Sequence, residues 1–190
     1  MGGDSWAGLA YDFAMMMRRL AIGLLLGVTL HASAQVIPRP DVPEKIKAPA
    51  GEEVVLVAHA SGSQIYVCQA GAGGKLSWTL KAPEAELRND EGAVIGRHYA
   101  GPTWKLNDGS EVTGKAVGRI DSPDADSIPW LLVTVTEHSG EGKLSQVTSI
   151  QRIHTKGGVP PAADTCDAPK QGSESKVSYT ADYYFFAPKK

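Results

Sequence analysis

Apolar and polar positions alternate along this chain in short runs, and no window repeats apolar residues at i, i+3, i+4 and i+7 long enough for a helix. Residues 53–60 (EVVLVAHA) form a β-branched run bounded by Gly51 and by Ser61-Gly62. Residues 64–68 alternate strictly, placing Ile65 and Val67 on one face and Gln64, Tyr66 and Cys68 on the other. A glycine-rich turn at 71–74 leads into a strand at 76–80. Residues 83–88 then run into the polar turn cluster Asn89-Asp90-Glu91-Gly92.

Short strands at 93–100 and 103–106 flank a bend at Gly101-Pro102. The Asp108-Gly109 pair is a hairpin signal before a strand at 111–120, where two glycines mark bulges or bends. Residues 128–136 (IPWLLVTVT) are the most continuously apolar segment after the leader, as in a strand covered on both faces or facing the core from the centre of a sheet. Further strands are expected at 147–155 and 177–186, the latter with Tyr179, Ala181, Tyr183 and Phe185 on one face. The pattern predicts an all-β, single-domain fold, either an antiparallel β-sandwich or a closed β-barrel, with long loops and little helix.

The N-terminal residues change this picture. Met17-Arg18-Arg19 precedes an apolar run from Leu20 to Leu30 and the small-residue site Ala32-Ser33-Ala34, the pattern of a cleaved export signal. The run is shorter than the roughly 20 residues a membrane span needs. Residues 1–34 therefore read as an extension plus leader, 35–51 as an extended arm with four prolines, and 52–190 as one β-rich domain. The expected location is secreted or periplasmic, with no membrane insertion after cleavage. In an oxidising compartment the two cysteines, Cys68 and Cys166, are expected to form a disulfide.

Charge excludes some partners. The formal net charge is −2, from 19 basic and 21 acidic residues, with no basic run, so nucleic acid is not an expected partner. Small molecules, carbohydrate or an envelope protein remain open as partners. No cofactor is expected: the Gly71 to Gly74 run lacks the third glycine and helix of a dinucleotide fingerprint and the Lys-Ser/Thr ending of a P-loop. No metal site is expected either, because the histidines show no H-x-H or H-E-x-x-H pair. The serine elbow G-x-S-x-G is absent.

Candidate chemistry concentrates in residues 92–110 (GAVIGRHYAGPTWKLNDGS). His98 and Asp108 are the candidate catalytic residues, and Tyr99 and Trp104 the candidate binding residues. Strand alternation puts His98 on the face opposite Tyr99. A plainer reading makes Trp104 a core residue and His98 the pin of a sharp turn, since buried aromatic residues more often pack than bind. The sequence supports an exported binding or envelope-associated module, with a secreted hydrolase or metal-dependent enzyme around His98, Trp104 and Asp108 as the rival.

The set QIYVC, GRHYAGPTWKLNDGSEVTGK, IPWLLVTV, VTSIQRIHTKGG and YTADYYFF resembles DUF3455, a family of secreted bacterial and fungal proteins of unknown function. The resemblance runs from about Val54 to Phe186 and implies export and one compact domain, with no established activity. Some fungal relatives carry a malate dehydrogenase label. The chain offers no βαβ unit or glycine fingerprint to support it.

Overall fold

The structure is a computed structural model that describes residues 36–190; the expected leader and its cleavage point lie outside the described residues. Eight strands follow in chain order: β1 (Glu52–Ala70), β2 (Leu76–Arg88), β3 (Val94–Tyr99), β4 (Thr103–Leu106), β5 (Glu111–Ile120), β6 (Trp130–Ser139), β7 (Ser149–Gly157) and β8 (Glu174–Pro188). Each is antiparallel to the next. β8 returns to pair with β1 from Glu52↔Pro188 to Val67↔Glu174, closing the sheet into an up-and-down barrel. Of the two expected architectures, the chain adopts the barrel, which leaves no sheet edge to be protected.

The strand phase set by β1 fixes the interior. Its even-numbered positions Val54, Leu56, Ala58, Ala60, Gln64, Tyr66 and Cys68 are all buried, while Ile65 and Val67 are half-buried on the outer face. The expected break at Ser61-Gly62 does not occur; β1 runs through it. The reason is steric: β2 crosses so closely that a Cβ on Gly62 would stand 2.1 Å from the Glu84 carbonyl oxygen. Glycine here bends the strand instead of ending it. β5 has register irregularities at Thr113/Gly114 and Ala116/Gly118, where its glycines admit Val133 and the Lys45 carbonyl.

The main core fills the barrel with Leu56, Leu87, Trp104, Ile150, Tyr183 and Phe185 among others. One end is plugged by the β6–β7 loop, whose Leu144 and Val147 are fully buried. Outside, the arm before β1 makes a 3-10 turn at Glu44–Ile46 and lays Val42 and Ile46 over Ile153, with Trp130, Leu132 and Tyr184 beside them. Ala48 and Val54 cover Phe186, and the Arg39 guanidinium sits 5.0 Å above that ring. This outer layer accounts for the continuous apolar run of β6: Leu131, Val133 and Val135 face the barrel core while Trp130 and Leu132 face the arm.

Cys68, at the end of β1, is bonded to Cys166 in the β7–β8 loop with a Cα–Cα distance of 5.4 Å. The loop is also held by Cys68 N donating to the Ser173 carbonyl, Gly172 N to the Cys68 carbonyl, and Trp78 Nε1 to Thr165 Oγ1 at 2.9 Å.

Two outcomes are expected. The disulfide closes a loop of sequence separation 98, so Cys68→Ala with Cys166→Ala lowers unfolding free energy by about 4 kcal/mol in urea titrations; equal midpoints for wild type and the double variant would refute this. Gly62→Ala costs about 1–3 kcal/mol because backbone must move. Gly51→Ala is the control, since its Cβ would meet nothing within 4 Å.

Candidate ligand cavity

β3 and β4 are the shortest strands of the barrel, and their shortness opens its wall. β2 pairs with β3 only over Ala85 to Arg88, and β5 pairs with β4 only over Glu111 to Thr113. The first part of β2 and the second part of β5 therefore face each other across a gap bridged by the β3–β4 turn. Pro83 is tolerated inside β2 because this stretch pairs with β1 alone.

A cavity of about 770 Å³ lies behind this window. Its frame is Leu80 to Pro83, Gly101-Pro102 and Ala116 to Arg119, and its floor includes Gln64, His98, Trp104, Arg152 and Tyr183. An eight-stranded barrel is about wide enough to hold one small ligand, and this volume falls in the range of small-molecule sites.

His98 and Trp104 are direct cross-strand partners, so alternation points both inward. Their rings stack at 4.4 Å between centroids and 13° between planes, and Tyr183 presents its edge to both, at 5.1 and 5.5 Å. His98 Nδ1 donates to the Thr103 carbonyl at 2.8 Å. A carbonyl can only accept, so the neutral ring carries its proton on Nδ1 and keeps Nε2 as an acceptor. Burial holds the His98 pKa down to about 3, and the positive charge of Arg152 adds to the shift.

Arg152 was not singled out by sequence. It is half-buried; its Nε and Nη2 donate to the Pro129 carbonyl at 3.2 and 2.9 Å, and it joins none of the ion pairs among the described residues. Gln64 Nε2, Trp104 Nε1 and the Tyr183 hydroxyl are buried with no hydrogen-bond partner among the described residues. The Tyr183 hydroxyl lies near that of Tyr179 and near Arg152, outside hydrogen-bond geometry, and burial raises its pKa.

The other sequence candidates lie elsewhere. Tyr99 points outward, its hydroxyl donating to Glu111 Oε2 at 2.9 Å beside the Lys105–Glu111 pair. Asp108 does not line the cavity. Its carboxylate accepts from Ser110 N, Ser110 Oγ and Lys143 N at 3.0, 2.6 and 2.8 Å, stapling the β4–β5 turn to the loop that plugs the barrel. Burial opposes its ionisation, but those hydrogen bonds prevail and hold its pKa below the usual carboxylate value.

The remaining histidines are dispersed. His59 and His154 both meet Asp182 on the outer surface, at 2.7 and 2.8 Å, and His138 Nε2 donates to the Val147 carbonyl. Among the described residues, no group of three or more His, Cys, Asp or Glu side chains is placed to hold a metal ion. The aromatic strip of β8 offers no open platform: Tyr183, Phe185 and Phe186 are buried.

The cavity histidine generates a pH expectation. Between pH 6.5 and about 3 the unfolded chain protonates His98 while the folded chain does not. Stability from this residue is complete above pH 6.5 and is lost as pH falls towards 3, on the order of a few kcal/mol in total. His59, raised by its bonds to Asp90 and Asp182, contributes with the opposite sign, so the comparison must be made by variant. His98→Gln is expected to flatten the fall in urea midpoint between pH 7 and pH 4; an unchanged slope would show that His98 is not buried in neutral form.

No curated protein and no solved structure matches the chain. A family model does, over residues 49–187, covering β1 to β7 in full and all of β8 except Pro188. The cavity floor and its window fall wholly inside that span. The chain belongs to the family described as protein of unknown function, DUF3455.

Proposed function

We propose that this protein is an exported, non-catalytic binding module that holds a small molecule in its barrel, admitted through the window between β2 and β5. The observation that carries this reading is the cavity of about 770 Å³ floored by His98, Trp104 and Tyr183. It combines an apolar frame with a few polar groups at the bottom, the usual make-up of a small-molecule site.

The arrangement favours binding over catalysis. His98 Nε2 is a base, but Nδ1 is oriented by a backbone carbonyl and not by a carboxylate, and Asp108 is committed to a turn. Among the described residues, no serine, cysteine or carboxylate lines the cavity to act as a nucleophile. Export is supported by the leader pattern of residues 17–34 and by the Cys68–Cys166 disulfide, which suits an oxidising compartment. The barrel also has its aromatic core inside and Lys–Glu pairs such as Lys81–Glu174 and Lys176–Glu84 outside, the reverse of a membrane-spanning barrel.

Trp104 supplies the assay. A chemically mixed fragment set titrated into ¹⁵N-labelled protein is expected to shift the Trp104 indole N–H resonance and to leave that of Trp78, which is tied to Thr165. Ala116→Trp, which fills the window from an exposed frame position, is expected to abolish those shifts without unfolding the protein. The reading fails if no fragment moves Trp104, or if the filled window binds as well as the open one.

A further inference from the structure

The charge of the cavity names the class of its occupant. Among the described residues, the charged side chains that line it are Lys45, Lys81, Arg119 and Arg152, with no aspartate or glutamate. This is a local inversion, because the whole chain carries 21 acidic residues against 19 basic ones. Lys81 is matched by Glu174 on the outside. Lys45, Arg119 and Arg152 enter no ion pair among the described residues.

Arg152 is the informative one. Lys45 and Arg119 are exposed at the rim, where water solvates them, but Arg152 is half-buried on β7. A guanidinium has five N–H donors, and here only the Pro129 carbonyl is engaged, by Nε and Nη2. Taking a cation out of water is costly unless an opposite charge or acceptors compensate it. The neighbouring groups supply no negative charge: His98 is neutral, and Gln64 Nε2, Trp104 Nε1 and the Tyr183 hydroxyl are themselves buried without partners among the described residues. A guanidinium and three unmatched groups able to donate therefore meet at one cavity floor.

The frame has the opposite character. Leu80 and Val117 are 51 % and 58 % exposed, unusual for large aliphatic side chains, and they stand on the two sides of the window with Pro83 and Pro102. Inside, Leu131 and Val133 continue this apolar lining down to Arg152.

Resting on the binding reading above, we infer that the occupant is a small amphipathic organic anion. Its oxyanion head pairs with Arg152 and accepts from the floor donors, and its apolar body runs past Leu131 and Val133 to the lips at Leu80 and Val117. A planar guanidinium matches carboxylate and phosphate equally well, in a two-pronged geometry, so the head is defined as an oxyanion of either kind. The rim cations Lys45 and Arg119 steer such a ligand to the window.

The test uses three ligands with the same ten-carbon chain: decanoate and decyl phosphate, each titrated below its micelle concentration, and decanol, titrated below its solubility limit, with the Trp104 indole resonance as the readout. At least one anion is expected to bind about tenfold or more tightly than decanol, as a charge-assisted hydrogen bond implies, and which anion wins identifies the head group. Arg152→Gln is expected to remove that advantage and leave decanol binding nearly unchanged. If Arg152→Gln does not fold, Lys45→Ser with Arg119→Ser, both at exposed rim positions, is expected to weaken anion binding several-fold and to reduce its salt dependence. Equal binding of all three ligands overturns the anion inference while leaving the binding module intact. If none of the three moves Trp104, the anion inference is also overturned, and the neutral members of the fragment set then decide whether the binding reading falls with it.

Discussion

β1 is hydrogen-bonded on both edges, to β2 and to β8, and this double pairing is the constraint from which the rest of the barrel follows. A strand of 19 residues paired on both sides must coil strongly to bring its neighbours round into a ring. It manages this with small residues at the centre of its inner face: Ala58, Ala60 and Gly62. The space they leave is taken by the large side chains of other strands, notably Trp104 from β4 and Tyr183 and Phe185 from β8. Small residues on one wall complementing large ones on another is how a narrow barrel fills its interior at normal packing density.

The same ring is deliberately uneven around its circumference. On the β5–β8 side the N-terminal arm adds a second apolar layer, with Gln151 Nε2 donating to the Ile46 carbonyl beneath it. On the β2–β5 side two strands stop early, and the wall is completed only by the β3–β4 turn. Both ends are shut, one by Leu144 under the Asp108 staple and the other by the loop at Gly158, where the Tyr66 hydroxyl donates to the carbonyl at 2.6 Å. With ends and back closed, the cavity has a lateral opening, and polar floor residues lie beneath it.

Much of this architecture was legible in the alternation of the sequence. The all-β class, most strand positions, the inward face of β8 and the Cys68–Cys166 pairing follow from local pattern and compartment. Ser61-Gly62 misled because glycine reads as punctuation from sequence, whereas here it answers a close strand crossing that no local pattern reveals. His98 and Trp104 were identifiable as neighbours across a short hairpin. Asp108 was not separable from them, since only three residues of chain lie between Trp104 in the barrel interior and Asp108 in the turn at its end. Arg152 carried no local signal: its inward direction depends on β7 register, which is interrupted between Ile153 and Lys156 where His154 takes a positive φ of 50°. Alternation put Gln64, Tyr66 and Cys68 on one face and Ile65 and Val67 on the other, but only the barrel shows that the first set is the buried one.

The residue-rich segment between Gly92 and Ser110 thus divides its chemistry between two places. Asp108 and Ser110 close the barrel end, and Tyr99 belongs to an outer-surface network with Glu111 and Lys105. His98 both holds a turn and faces the cavity: its Nδ1 donates to the Thr103 carbonyl at the turn that frames the window, and its ring, stacked on Trp104, forms the floor behind it. Any occupant that presses on the His98–Trp104 stack therefore bears on the hairpin that frames its own way in. Architecture and site are the same atoms at this point, which is why an aromatic pair and a bent hairpin occur within seven consecutive residues.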